Sequence, residues 1–288
     1  MSSPYRVFAN VVVCVFSLLP LTLTSCSVTS VSSATGMIQG RVYGGQQPVS
    51  GSTIQLWAVA DNADPASSTP LLTQPVTTDA NGSFTISNIY TCPSPSTLVY
   101  ISATGGNPGL GSSISNPAIA EYAALGLCSN LSAATTIDIT EITTVALAAA
   151  YFSFTSEPHS PSSIYSDMAT AFNLANSLAD NSAGQAVGPL LPPGYTVPIA
   201  RLNTLANIIA SCINTAGGTA GDNTPCGVLF TNAGGAATTD TMTALIQIEL
   251  NPTQNVDNLF NLASPVGPFQ PTLRSAPSDW SITLIPTP

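Results

Sequence analysis

The sequence of 288 residues contains no lysine, and its basic residues are four arginines: Arg6, Arg41, Arg201 and Arg274. They stand against 14 acidic residues, which gives a formal net charge of −10 at pH 7. A nucleic acid or an anionic membrane surface is bound through a basic patch, which this chain cannot build, so no nucleic-acid partner is predicted. Reactions that need a lysine amine, such as Schiff-base formation, are excluded for the same reason.

Charged residues are scarce overall, at 6% of the chain against roughly 25% in an average soluble protein. Hydrophobic residues remain at 44%, because serine, threonine, asparagine, glycine and proline have replaced the charge. Disordered proteins show the opposite pattern, with few apolar residues and high charge. The composition is typical of an exported, folded protein with a hydroxyl-rich surface.

Residue types that carry catalysis or bind metals are also few. His159 is the only histidine and lies in the Pro/Ser-rich connector SEPHSPSS, and the cysteines form no C-x-x-C pair, so no metal site is predicted. The glycine-rich run of residues 105–113 lacks the lysine and the acidic residue of nucleotide-binding loops. We therefore predict no cofactor and do not expect an enzyme.

Asp138 and Glu141 lie close together at the boundary between a predicted strand and a predicted helix. Glycosidases use a pair of carboxylates, so these two residues are a catalytic candidate. The structural alternative, which we prefer, is that Asp138 caps the helix and Glu141 stabilises its positive end. A hydrolase with an unfamiliar site would require Asp138, Glu141 or His159 to share a pocket.

Residues 1–26 are predicted to be a lipoprotein signal peptide. Arg6 and the amino terminus precede a run of 13 mostly apolar residues, VVVCVFSLLPLTL, which is too short to span a bilayer as a helix. The stretch LTSC (residues 23–26) then resembles the bacterial lipobox, in which the cysteine is lipidated; the alternative is an ordinary cleaved signal. We expect a bacterial cell-envelope protein anchored only by lipid on Cys26, with residues 27–36 as a flexible tether.

Four of the six cysteines lie beyond residue 26. An even number of cysteines in an oxidising compartment predicts disulfides. The most economical pairing joins Cys92 to Cys128 and Cys212 to Cys226, and the second bond would close a surface loop at residues 214–225.

Residues 37–140 are predicted to form a β-sandwich. Short runs with alternating apolar residues are separated by clusters of Gly, Pro and Asn. The alternating positions are Ile38, Gly40, Val42, Ile54, Leu56, Ala58, Phe84, Ile86, Val99, Ile101, Ile137 and Ile139.

Two stretches of this region, GRVYGGQQPVSGSTIQLWAV (residues 40–59) and TTDANGSFTISNI (residues 77–89), resemble the carboxypeptidase regulatory-like domain. The positions that match the family pattern are Gly40, Val42, Pro48, Val49, Gly51, Ile54, Leu56, Thr78, Asp79, Gly82, Phe84 and Ile89. Ser52 stands where alanine is usual, and the P-G-x-Y step that normally follows is replaced. The resemblance implies a transthyretin-like antiparallel sandwich without catalytic residues, which serves as a spacer, a folding aid or a binding module.

The stretch TTDANGSFTI (residues 77–86) has two interpretations. Asp79, Asn81 and Ser83 alternate around Gly82 as oxygen ligands do in a calcium loop, but position twelve of such a loop would be Tyr90, which cannot serve as a ligand. In the family, this segment is a hairpin, and Asn81-Gly82 suits the positive backbone dihedrals of a tight turn. We predict a turn.

Beyond residue 116 the apolar spacing changes toward 3.6, which predicts a mainly helical domain at residues 141–265. The predicted helices are residues 141–154, 162–181, 198–213, 239–250 and 255–263, with a shorter one at residues 116–128 capped by Asn116. In the Pro-rich tail of residues 266–288, Trp280, Ile282 and Leu284 alternate and predict a short strand. The fold class is therefore α+β: a transthyretin-like sandwich followed by a mainly helical domain.

Function is predicted from the aromatic residues and from the absence of recognisable catalytic, metal-binding and nucleotide-binding motifs. Trp57 has the opposite parity to Leu56 and Ala58, so with Tyr100 it is a candidate for stacking on a ligand; the alternative, which we prefer, is that Trp57 packs against the second sheet or the helices. We expect a non-catalytic structural or binding module of the envelope. Carbohydrate binding or adhesion is the alternative, and polysaccharides or envelope proteins are the expected partners.

Overall fold

The computed structural model describes residues 33–34, 37–59, 68–87, 90–112, 114–131, 135–155 and 164–288. The predicted signal peptide with Cys26, and likewise Ile89 and His159, lie outside the described residues. For residues 33–34, 152–155 and 164–167 only the backbone is considered. The described part is a mixed α+β structure with several antiparallel sheets and six α-helices.

The strands are short, and most of them belong to two sheets. Their bounds are β1 Ser33–Ala34, β2 Ile38–Gly44, β3 Gln47–Pro48, β4 Thr53–Ala58, β5 Thr69–Pro70, β6 Val76–Thr77, β7 Ser83–Ile86, β8 Tyr90–Thr91, β9 Leu98–Thr104, β10 Ala120–Leu127, β11 Thr135–Ile139, β12 Ala179–Asp180, β13 Gln185–Ala186, β14 Tyr195–Thr196 and β15 Ile285–Pro286. The first sheet places β2 between β7, which is antiparallel to it, and β11, which is parallel to it; β3 forms a hairpin with β2. The second sheet has the order β10-β9-β4-β5, with β6 also paired to β4.

The alternation predicted for these strands is confirmed in the core. Ile38 and Val42 of β2, Leu56 of β4 and Ile101 of β9 are fully buried and belong to one hydrophobic cluster. Gly40 lies between them because the first sheet leaves no room for a side chain there: a Cβ atom would lie 2.0 Å from the carbonyl oxygen of Ile137.

The segment between β6 and β7 is a turn, as predicted. One oxygen of Asp79, Oδ1, accepts hydrogen bonds from the backbone N–H groups of Asn81 (2.8 Å) and Ser83 (2.9 Å), and Gly82 has a φ of +69°. The flanking strands do not form the expected hairpin, however, because β6 pairs with β4 and β7 pairs with β2. The turn carries the chain from one sheet to the other, and the Asp79 carboxylate is used in holding it.

The helices are α1 Glu141–Thr155, α2 Ile164–Leu178, α3 Ile199–Ile213, α4 Pro225–Ala233, α5 Thr241–Leu250 and α6 Val256–Phe260. Helix α1 is the predicted buried central helix: residues 141–150 are all buried, and it packs against β10 and the other long helices. Helix α4, which was not predicted, begins with Pro225 at its first position and with the Thr224 hydroxyl accepting from the N–H of Gly227. Among the described helices, none combines the length and apolar character that crossing a bilayer requires.

The helix predicted at residues 116–128 is wrong, since residues 120–127 form strand β10. This strand pairs with β9, and the helices α1 and α2 pack on it, so both of its faces are covered and its sequence shows no polar alternation. Asn116 caps the C-terminal end of helix α3 and not the N-terminal end of a helix of its own segment. Its side-chain amide donates to the carbonyl groups of Cys212 (2.9 Å) and Ile213 (3.1 Å) at the end of α3.

Both predicted cysteine pairs, Cys92–Cys128 and Cys212–Cys226, lie at disulfide distance. The tail differs from its prediction: only residues 285–286 form a strand, β15, which pairs with β14, while Trp280 and Ile282 are buried without being part of a strand.

The described residues from Ser33 to Pro288 belong to one compact unit. A single hydrophobic cluster contains residues from both predicted domains, such as Ile54 on β4 and Ile209 on α3. A second cluster joins Leu98 of β9 and Ala124 of β10 to Leu147 of α1 and Phe172 of α2, so the second sheet packs on the first sheet with one face and on helices with the other.

Candidate functional site

Three aromatic side chains form a row across the outer face of the second sheet. Trp57 lies on β4 directly opposite Tyr100 on β9, and Tyr122 on β10 lies opposite Ser102, the next residue of the same face of β9. The ring centroids of Trp57 and Tyr100 are 6.2 Å apart with their planes 13° from parallel. Those of Tyr100 and Tyr122 are 6.0 Å apart at 35°. We call these three residues the aromatic row.

The period of two in β-strands places the row on this face. Leu56 and Ala58, the neighbours of Trp57, point into the core between the sheets, so Trp57 points the other way. Its indole N–H donates to the hydroxyl of Ser102 at 2.8 Å, which holds the ring over β9. The row is thus oriented by the sheet and does not depend on a loop.

Helices cover the row and leave a groove of about 410 Å³ between them and the sheet. Tyr151 of α1, Met168 and Phe172 of α2, and Met242 of α5 contribute to its walls. Pockets for small ligands have volumes of roughly 300–1,000 Å³ and are mostly apolar with a few polar groups. The groove fits this description.

Asp240 is the only charged residue among the described residues that line the groove. It precedes α5 as its N-cap: Oδ1 accepts from the N–H of Thr243 at 2.8 Å, and Oδ2 accepts from the Thr239 hydroxyl at 3.2 Å. Burial raises the pKa of Tyr122 to about 12, and the nearby Tyr100 and Asp240 make smaller contributions in the same direction. Burial also raises the pKa of Tyr100.

The structure therefore brings the two predicted stacking residues, Trp57 and Tyr100, into one site. Trp57 is half-buried and lines the groove together with residues of the helices. Tyr122 was missed, because its segment was predicted to be helical. If residues 120–127 are read as a strand, Tyr122 and Glu121 point to opposite faces of the sheet, and Tyr122 becomes a candidate for the outer face.

A second cleft, of about 510 Å³, is lined by several side-chain amides. The amides are engaged in holding the chain around residue 270: Gln46 donates to the carbonyl of Pro268, Asn203 to that of Pro271 and Gln270 to that of Gly267. These bonds give the cleft a structural role, and for this reason the aromatic groove is the better candidate site.

Two buried carboxyl groups also come together, and only one of them was a candidate. Glu121 on β10 and Glu141 at the start of α1 are both 0% exposed. The N–H of Gly45 donates to Oε1 of Glu141 at 2.5 Å, whereas neither oxygen of Glu121 has a hydrogen-bond partner among the described residues. Burial raises the pKa of Glu141 to about 8. It raises the pKa of Glu121 well above its ordinary range, and the neighbouring Glu141 adds to this.

The predicted capping role of Asp138 is wrong. Asp138 lies within strand β11, and Thr140 is the residue that precedes α1; its N–H donates to the Thr143 hydroxyl at 3.0 Å. Glu141 does lie in the first turn of the helix, as predicted. Within the described ranges, no three or more His, Cys, Asp or Glu side chains gather as they would around a metal ion.

No family model matches the chain, and no curated protein or solved structure matches it either.

Proposed function

We propose that the chain is a non-catalytic binding module of the bacterial cell envelope, exported and anchored through lipid on Cys26, which holds a small ligand in the aromatic groove. The observation that carries the proposal is the groove itself: three aligned aromatic rings under a helical cover, with about 410 Å³ of space. Aromatic side chains that remain half-exposed inside a concave site are characteristic of ligand binding.

The resemblance to the carboxypeptidase regulatory-like domain supports a binding or spacer role in place of catalysis. Residues of the shared motif have structural tasks that suit a transthyretin-like sandwich. The Thr78 hydroxyl accepts from the N–H of Ser52 at 2.8 Å and donates to the carbonyl of Val49 at 2.7 Å. Asp79 holds the turn that follows. These motif positions thus supply a frame, and the groove is lined by Trp57 and Val59 of the same stretch, which are not among the matching positions.

Carbohydrate binding is the second candidate, and the aromatic row on one sheet favours it, since pyranose faces stack on such rings. A polysaccharide chain needs an open platform along which successive sugars can lie. Here Tyr151, Phe172 and Met242 form walls over the row. These walls favour a small ligand or the end of a chain over the middle of a polymer.

The test is a binding screen of the disulfide-bonded residues 27–288, which contain the whole compact unit. The screen includes cell-wall polysaccharides, short glycans and small amphiphilic molecules, and binding is followed by calorimetry. We expect a saturable ligand whose binding is abolished by Trp57→Ala and retained by Tyr195→Ala, since Tyr195 is exposed on β14 away from the groove. Ligands whose affinity does not respond to Trp57→Ala would place the binding site elsewhere, and a screen without any ligand would favour a purely structural role.

A further inference from the structure

The groove combines several aromatic side chains with a single negatively charged residue, and it has no positively charged one among its described lining residues. Besides the aromatic row, the rings of Tyr151 and Phe172 contribute to its lining. An aromatic ring has a negative face, so several rings around one space attract a cation that has given up part of its water shell. Asp240 adds a full negative charge at the same place.

The groove is unfavourable for an anion. A buried carboxylate or phosphate needs a positive or donating partner, and the two arginines with defined partners are engaged elsewhere: Arg41 with Tyr43 and Arg201 with Asp279. The same field that resists a negative charge acts on the Tyr122 hydroxyl, because Asp240 helps to raise its pKa. Burial, the main cause of this shift, disfavours any ion, but the smaller contribution of Asp240 disfavours an anion and favours a cation.

The rest of the lining determines what kind of cation fits. A metal ion or a small ammonium ion needs several oxygen ligands in place of its water, and the carboxylate oxygens of Asp240 are already occupied by Thr243 and Thr239. Met168, Met242 and Leu147 offer apolar, adaptable contacts. A cation that carries its charge on methyl or other apolar groups needs no such ligands and gains from those contacts.

We infer that the groove binds an organic cation of the quaternary ammonium class, whose charged group lies against the aromatic row and Asp240. This inference rests on the proposed function, because it names the ligand class of the same site. The inference adds the charge of the ligand to the proposed function, because the aromatic row alone does not determine that charge.

Choline and 3,3-dimethylbutan-1-ol make a matched pair of probes, since they have the same shape and differ in a single positive charge. Calorimetric titration of the disulfide-bonded residues 27–288 at constant ionic strength should show choline binding about tenfold more tightly than the alcohol, as expected for a partly desolvated cation–π site. Phosphocholine separates a free cation from a lipid headgroup. We expect it to bind more weakly than choline, and equal or tighter binding would overturn the exclusion of anions.

Variants identify the groups responsible. Asp240→Asn keeps a good N-cap and removes the charge, and we expect choline affinity to fall roughly three- to fivefold, as for a partly exposed ion pair. Asp257→Asn removes the same charge from an exposed position on α6 and should leave the affinity unchanged. Tyr122→Phe keeps the ring face and should retain binding, whereas Tyr122→Leu should weaken it about tenfold.

The outcomes separate the inference from the proposed function. If the alcohol binds as tightly as choline and Trp57→Ala abolishes both, the groove is a binding site but the cation inference is wrong. If neither probe binds, the cation inference is also wrong, and the broader ligand screen decides the proposed function by itself. If both Asp240→Asn and Tyr122→Leu bind choline as tightly as the wild-type protein does, the assignment of the cation site to this groove is wrong.

Discussion

Replacing Glu141 by glutamine is expected to make the protein more stable above neutral pH. The side chain is fully buried, and its pKa rises from an ordinary value of 4.5 to about 8 on folding. Glutamine resembles the protonated acid in shape and charge, and its oxygen can still accept the hydrogen bond from the N–H of Gly45. The variant therefore keeps the neutral form at every pH.

The sign follows from proton binding. Between about pH 4.5 and pH 8 the folded protein holds a proton on Glu141 that the unfolded chain has released, so stability falls as pH rises. Below this range both states are protonated, and above it both are ionised. Each pH unit within the range costs about 1.4 kcal/mol, so the full effect is on the order of 5 kcal/mol. This is comparable with the whole stability of many domains, roughly 5–15 kcal/mol.

Glu121 is the partner of Glu141 in this effect. It lacks a hydrogen-bond donor among the described residues, while Glu141 has the N–H of Gly45, so Glu141 is the first of the two to ionise. Its negative charge then holds the proton on Glu121 more firmly. We expect Glu141→Gln to lower the pKa of Glu121 and the effects of the two substitutions to be non-additive.

The assay is urea unfolding followed by circular dichroism from about pH 5 to about pH 9, with both disulfides intact. Wild-type protein should lose stability steadily up to about pH 8, Glu141→Gln should lose about 1.4 kcal/mol less per pH unit, and the two curves should converge toward the acid end of the range. Asp257→Asn, an exposed acid, is the control for net charge. A slope will remain in Glu141→Gln, because burial also raises the pKa of Glu121 well above its ordinary range and that of Glu249 to about 8. Wild-type stability that is flat or rises toward pH 8 would refute the reasoning.

Three further predictions concern the frame around the site. Replacing Cys212 and Cys226 by alanine opens a loop with a sequence separation of 14 residues and should cost about 3 kcal/mol in urea unfolding; an unchanged midpoint would contradict a stabilising bond. Gly82→Ala should cost more than about 1 kcal/mol, because φ is +69° and a Cβ would lie 2.6 Å from a backbone oxygen. Gly51→Ala, with a φ of +71° and open space, should cost less, and equal losses would show that the contact is unimportant. Asp79→Asn should leave the melting temperature insensitive to calcium or chelator, as in the wild type, and a calcium shift seen only in the wild type would restore the metal interpretation.

Much of the frame could be predicted from the sequence because its signals are local. Alternating apolar residues placed β2 and β9, the Asn-Gly pair placed the turn at Gly82, and cysteine spacing gave both disulfide pairs. The pairing of strands across the turn was not local. Both β6 and β7 lie next to the turn, yet each pairs with a strand elsewhere in the chain, and short-range patterns cannot specify such partners.

Tyr122 and Glu121 were missed for one reason, which lies in strand β10. Alanine, glutamate and leucine favour a helix by propensity, but a strand covered on both faces needs no polar alternation, so tertiary packing prevails. Once the segment is a strand, its period of two separates two neighbours. Glu121 points into the core and joins Glu141, while Tyr122 points outward and completes the row with Trp57 and Tyr100. One member of the acid pair, Glu121, and the ring of Tyr122 are thus neighbours in sequence, and their side chains lie on opposite faces of a single sheet.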